Sequence, residues 1–141
     1  MNVYLDSSVV LRKLLNEPNP IAEWEHIEEA YSSRLLFAEV GRVIDRLRLL
    51  GRITDEQVAR LFEQVRELLS AIDVFSVTDA ILERVAGPMA TVVGTLDAVH
   101  LVTAQELWRE KRALVFATHD ERLSRAARAG GMKVIGVNLE S

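Results

Sequence analysis

Four carboxylates stand where cation or acid–base chemistry could use them. Asp6 ends the apolar run Val3-Tyr4-Leu5 and precedes Ser7, where a helix-like pattern begins. Asp120 follows the apolar run 114–118 and precedes another helical pattern. Asp97 falls in the first turn of the helix that follows Gly94, and Glu39 interrupts the apolar segment Leu-Leu-Phe-Ala-Glu-Val. If the strands before Asp6 and Asp120 are parallel, both aspartates lie at the carboxyl edge of one sheet, where open α/β sheets bind ligands. Four acids gathered in one pocket repel one another unless a cation joins them. Hard oxygen donors, with no cysteine and few histidines, suit magnesium or manganese better than zinc.

Each acid also has a plain structural explanation. Asp97 is favoured by the helix dipole alone. The segment Thr118-His-Asp-Glu121 matches a capping box, which accounts for acidity there. Asp6 could be a turn or cap residue. Glu39 is harder to explain away, because a charge at the edge of a buried stripe is costly unless it is paired, with Arg42 or Arg46 as partner.

The elements that must position these residues follow from periodicity. Helix is expected over 7–16, broken by Glu-Pro-Asn-Pro at 17–20, and again over 21–30, with a connection or very short strand at 31–33. A long amphipathic helix over 34–50 carries the stripe Leu36, Val40, Val43, Ile44 and Leu47, and Gly51 suits its C′ position. Thr54-Asp-Glu-Gln57 is a capping-box pattern for a helix reaching about Ala71, so 34–72 reads as a helical hairpin. Strands are expected at 73–77, 114–118 and 133–137, and helices at 78–86, 95–108 and 120–129. Gly87-Pro88 and Gly94 bracket a loop. Strand and helix thus alternate, and the strands are almost continuously apolar. That pattern predicts a parallel sheet with both faces covered by helices.

Length and composition set the outer limits. A chain of 141 residues is most simply one domain, 1–141, long enough to bury a core without staples. With no cysteine, disulfides, thiolate zinc sites and a cysteine nucleophile are excluded. A net charge of −4 argues against a protein that coats nucleic acid electrostatically, while leaving room for a local basic strip. No apolar stretch approaches the roughly 18 residues of a membrane span, and no signal peptide pattern opens the chain; a cytoplasmic protein is expected.

Four segments carry a family resemblance: Val-Tyr-Leu-Asp-Ser-Ser at 3–8, Ser-Ser-Arg-Leu-Leu-Phe-Ala-Glu-Val at 32–40, Gly-Thr-Leu-Asp-Ala-Val-His-Leu-Val-Thr-Ala at 94–104 and Phe-Ala-Thr-His-Asp-Glu-Arg-Leu at 116–123. In this order they resemble the successive motifs of PIN-domain ribonucleases, and most closely those of VapC toxins from toxin–antitoxin pairs. The resemblance implies a three-layer α/β/α sandwich with a central parallel sheet. It further implies a Mg2+- or Mn2+-dependent endoribonuclease, with RNA as substrate, a cognate antitoxin as partner and a homodimer as assembly. It assigns Asp6, Glu39 and Asp97 as core acidic residues, Asp6 and Asp97 as metal contacts and Asp120 as the fourth acid. Ser7 and Thr118 fall where a hydroxyl supports the site. Gly41, a poor helix former, would mark close helix packing.

Other residues enter more loosely. His119 is expected to be a turn or supporting residue, and His100 a satisfied interior histidine rather than a ligand. Arg122, Arg125, Arg128 and Lys133 read as a solvated face that could also follow RNA phosphates. The hairpin and the segment around Trp24 are candidate partner surfaces, although core packing explains most of their apolar residues. Three other readings compete with the nuclease. A magnesium-binding phosphoacceptor domain lacks its acidic pair and late lysine here. An Asp-x-Asp phosphatase is disfavoured by Ser7-Ser8. A catalytically inactive PIN fold kept as an RNA-binding module conflicts with the complete acid set.

Overall fold

In β1 (Asn2–Leu5), Val3, Tyr4 and Leu5 are fully buried, as a strand covered on both faces requires. The computed structural model describes residues 1–138; the last three residues of the expected 1–141 unit lie outside the described residues. β1 is the centre of a five-stranded sheet ordered β3-β2-β1-β4-β5. The other strands are β2 (Glu29–Ser33), β3 (Asp73–Phe75), β4 (Val115–Ala117) and β5 (Lys133–Ile135). Every pairing is parallel, with Tyr4 flanked by Tyr31 on one side and Phe116 on the other.

Strand side chains alternate between faces, and this alternation divides the core. Val3 and Leu5 pack with Val9, Val10, Leu36, Val40 and Val65, which come from α1 (Ser7–Leu14), α2 (Leu35–Leu49) and α3 (Asp55–Ala71). Tyr4, between them in sequence, faces the other way and packs with Leu101, Phe116 and Leu123, two of them from α5 (Thr95–Glu110) and α6 (Glu121–Ala129). The short α4 (Asp79–Val85) rests on α5 through Ile81, Val99 and Val102. The result is a three-layer α/β/α sandwich. Among the described residues no helix is long and apolar enough to cross a membrane.

Several local expectations hold for the expected reasons. Thr54 forms a full capping box with Gln57, and Thr78 accepts from the Ile81 amide. Gly51 adopts φ +69°, the left-handed C′ conformation. The helix over 34–50 packs on the hairpin partner through Phe37 and Phe62, whose ring centroids are 6.3 Å apart.

Others do not. The helix expected over 21–30 is only a 3-10 turn at Trp24–His26, because Glu29 and Ala30 are drawn into β2 opposite Asn2 and Val3. Of the two readings of Tyr31-Ser32-Ser33, the short strand is the one that forms, and these residues are the buried end of β2, which starts two residues earlier. Ser32 meets the cost of burial by donating its hydroxyl to the Leu5 carbonyl at 2.8 Å. Trp24, half-buried, packs largely on the α1–α3 core. The last strand stops at Ile135 because Gly136 turns to φ +101°. A Cβ at that position would lie 2.4 Å from the Thr118 carbonyl oxygen, so only glycine fits. Gly41, in contrast, is not required by packing. A Cβ there would meet the Phe62 ring at an ordinary 3.7 Å.

Candidate active site

Parallel pairing brings the ends of β1 and β4 to one edge of the sheet, and with them Asp6 and Thr118. The Asp6 amide continues the ladder by donating to the Ala117 carbonyl at 3.0 Å. Asp6 is only 2% exposed, and it is also the N-cap of α1. The turn-or-cap explanation is thus correct but incomplete. Its Oδ2 accepts the Ser8 hydroxyl at 2.6 Å, the Thr118 hydroxyl at 2.9 Å and, more weakly, the Ser8 amide at 3.4 Å. Oδ1 is buried and has no hydrogen-bond partner. A buried carboxylate oxygen without a donor carries a large desolvation cost.

The supporting hydroxyls are ordered in turn. Ser8 Oγ accepts the His119 amide at 2.9 Å, and Thr118 Oγ1 accepts the Asp120 amide at 3.0 Å. Each hydroxyl therefore has its single proton committed to Asp6. Asp120 caps α6 by accepting from the Leu123 amide at 2.9 Å. The box anticipated between Thr118 and Glu121 does not form: Asp120, not Thr118, is the N-cap of α6, and the Thr118 oxygen accepts from the Asp120 amide instead. The His119 ring donates from Nδ1 to the Gly136 carbonyl at 2.6 Å, a turn-fixing role.

Glu39, in the second turn of α2, projects over the same sheet edge. Neither arginine that the plain structural explanation offers as its partner pairs it: Arg42 pairs with Asp45 instead. Glu39 Oε1 lies 2.5 Å from His100 Nε2, and Oε2 accepts the Ser7 hydroxyl at 3.2 Å. His100 is completely buried, with its Nδ1 bonded to the Tyr4 hydroxyl at 2.9 Å and its Nε2 4.0 Å from Asp6 Oδ1. Burial pulls its pKa down, but the Glu39 bond and charge, together with Asp6 and Asp97, push it above the usual histidine value.

Asp97, half-buried in the first turn of α5, completes the cluster. Its carboxyl is pushed up to about 6, first by burial and then by the charges of Asp6 and Asp120, with Glu39 adding and His100 opposing. All four acids thus sit within electrostatic reach of one another. Among the described residues, however, no three histidine, aspartate or glutamate side chains form a group already spaced around an ion. The donor set still fits a hard divalent cation. Asp6 offers an unpartnered buried oxygen, Asp97 is held in its charged form only against repulsion, and magnesium is often held by just one or two carboxylates with water and substrate phosphates. Neither Ser8 nor Tyr4 carries a functional signal of its own in the sequence: Ser8 merely follows the helix-opening Ser7, and Tyr4 reads as one more apolar strand position. Arg122, Arg125 and Arg128 are exposed along α6, beside the Asp120 turn.

Fold and site define a class: a three-layer α/β protein whose acids collect at the carboxyl edge of a parallel sheet. The chain belongs to the PIN domain family, whose model matches residues 3–129. It is 32% identical over 136 residues to Ribonuclease VapC46 of Mycobacterium tuberculosis, across 94% of this chain and 95% of that protein. Its fold matches FitAcB from Neisseria gonorrhoeae with a TM-score of 0.66 at 18% identity, covering 96% of each chain. It also matches VapBC2 from Rickettsia felis, solved with a DNA fragment from the VapBC2 promoter, with a TM-score of 0.59 at 10% identity over 96% of this chain and 98% of that one.

Proposed function

We propose that this protein is a divalent-cation-dependent endoribonuclease that acts as the toxin of a toxin–antitoxin pair. The observation that carries the chemistry is the pairing of an orphaned, buried Asp6 Oδ1 with an Asp97 whose carboxyl is driven up to about 6 by burial and by neighbouring acids. Such a pocket is short of positive charge, and a divalent cation supplies it. The similarity to a ribonuclease named VapC46 supports RNA as the substrate and a toxin as the biological role. A cognate antitoxin and a homodimer belong to the same reading.

The residues divide the work. Asp6 and Asp97 would hold Mg2+ or Mn2+, with Ser8 and Thr118 orienting Asp6 through its other oxygen. When bound, such a cation supplies Lewis acidity, making water a better nucleophile and offsetting negative charge at the scissile phosphate. Glu39 contributes fixed negative charge above the sheet edge. Asp120, with one oxygen committed to capping α6, is placed to orient water with the other. The exposed arginines of α6 would follow the RNA backbone.

The biological reading is tested by inducing expression in bacterial cells. Wild-type protein should arrest growth with loss of specific RNAs, Asp97→Ala should not, and co-expression of the cognate antitoxin should restore growth. Arrest by wild type and Asp97→Ala alike would contradict the reading.

A further inference from the structure

A line of buried polar groups runs from the centre of the sheet to the acid pocket. Tyr4 is fully buried on the central strand, its ring stacked on Phe116 at 5.5 Å and set edge-on to His100 at 5.9 Å. Its hydroxyl bonds His100 Nδ1, and His100 Nε2 reaches Glu39 Oε1 at 2.5 Å. From the opposite side Ser7 donates to Glu39 Oε2. The Glu39 carboxylate is thereby gripped at both oxygens by α1 and α5, helices that cover opposite faces of the sheet.

Packing gives no reason for an imidazole at position 100. Its neighbours on α5, Val99, Leu101 and Val102, are all buried and apolar, and a leucine would fill such a site without the cost of burying two ring nitrogens. What the imidazole adds is direction. The Tyr4 phenol, like any tyrosine at neutral pH, carries its proton. In a neutral ring, Tyr4 donates to Nδ1 and the ring proton resides on Nε2, facing Glu39. In a charged ring Nε2 carries a proton as well. An N–H therefore points at Glu39 in either state. Without it the long Glu39 side chain keeps only a 3.2 Å bond from Ser7.

We propose that His100 is a positioning residue: oriented by Tyr4, it locks Glu39 in the one arrangement that places its charge beside Asp6. The function of Glu39 in RNA cleavage rests on the nuclease reading above; the lock itself does not.

Mn2+ affinity and RNA cleavage are measured for full-length wild type, His100→Leu, His100→Gln, Glu39→Gln and the double variant Glu39→Gln/His100→Leu. Loss of a residue that orients a ligand shell costs about 10- to 100-fold in metal affinity or activity, and His100→Leu should fall in that range. His100→Gln can return an N–H toward Glu39 and should recover much of the loss. Because His100 acts through Glu39, the double variant should be no worse than Glu39→Gln alone. Additive losses, or wild-type behaviour of His100→Leu, would overturn the proposal. Should His100→Leu fail to fold, nitrogen-15 NMR of His100 in the wild type and in Tyr4→Phe decides. A wild-type ring protonated at Nε2, with that preference weakened in Tyr4→Phe, supports the lock; an unprotonated Nε2 in the wild type overturns it. The NMR result is independent of catalysis. A protonated Nε2 in a protein that neither binds Mn2+ nor cleaves RNA would defeat the nuclease reading and leave the lock standing.

Discussion

Asp97 shows how much a single carboxyl can report. Its folded-state pKa of about 6 lies above the ordinary 3.8, so between those values the folded protein holds a proton that the unfolded chain lacks. Stability from this group is present at low pH and is lost as pH rises through about 6. In cation-free protein, Asp97→Asn should therefore raise the thermal midpoint at pH 7–8 and have less effect near pH 5. An unchanged or lowered midpoint at pH 8 would contradict the strained carboxylate. Protons also compete with a cation for the same oxygens. Mn2+ affinity measured by calorimetry should accordingly weaken as pH drops below 6, with proton release on binding tracking Asp97. Thr118 offers a complementary test, since its hydroxyl orders Asp6 without belonging to the acid set. Thr118→Val should lower cleavage by about 10- to 100-fold while Thr118→Ser largely keeps it; equal activity in both would remove Thr118 from the site.

The same residues mark what the sequence makes visible. Asp6, Glu39 and Asp97 stand out because each breaks an apolar pattern or opens a helix. Tyr4 and Ser8 do not, since a phenol in an apolar strand and a serine in a first helical turn have ordinary explanations. The partner of Glu39 is equally hidden. Arg42 and Arg46 are near in sequence, whereas His100 is 61 residues away and becomes a neighbour only when α2 and α5 meet across the top of the sheet.

At the scale of elements, local chemistry locates what caps and punctuation define. The helices at Thr54, Thr78 and Asp120 begin where side-chain acceptors predict, within a residue or two. β2 is only partly legible, as a connection or very short strand at 31–33, because its stability is not local: pairing with β1 and β3 holds it in place. Glycines separate the two kinds of constraint. Gly41→Ala should stabilise the protein by about 0.5–1 kcal/mol, since a methyl has room beside Phe62 and alanine is the better helix former. Gly136→Ala should instead be strongly destabilising, because its Cβ would collide with the Thr118 carbonyl at a position of positive φ. Thermal denaturation of the two variants checks both signs. A stabilising Gly136→Ala would mean that the turn holding His119 and Thr118 is not as described.

For the whole molecule, a parallel sheet sets the site before any particular acid is chosen. Five parallel strands place every strand-to-helix turn at one edge, and helices from both faces, α2 and α5, lean over that edge to add Glu39 and Asp97. The acids sit where backbone topology concentrates them, and their mutual repulsion is a cost borne by the cation-free fold. A cation that binds only the folded state should repay it. At a concentration 100 times its dissociation constant the gain is about 2.7 kcal/mol, so Mn2+ should raise the thermal midpoint by several degrees, chelator should reverse the shift, and Asp6→Ala should abolish it. A midpoint indifferent to Mn2+ would leave the cluster without its counter-charge.

The most direct measurement is cleavage of a structured RNA in vitro by the purified protein with Mg2+, with excess chelator, and with Mg2+ after Asp6→Ala or Asp97→Ala. Wild type with Mg2+ should cut, the chelated reaction should not, and each variant should lose more than about 100-fold, beyond the range for supporting residues. Equal cleavage in all four reactions, or none in any, would contradict the assignment of this acid cluster as a metal-dependent ribonuclease site.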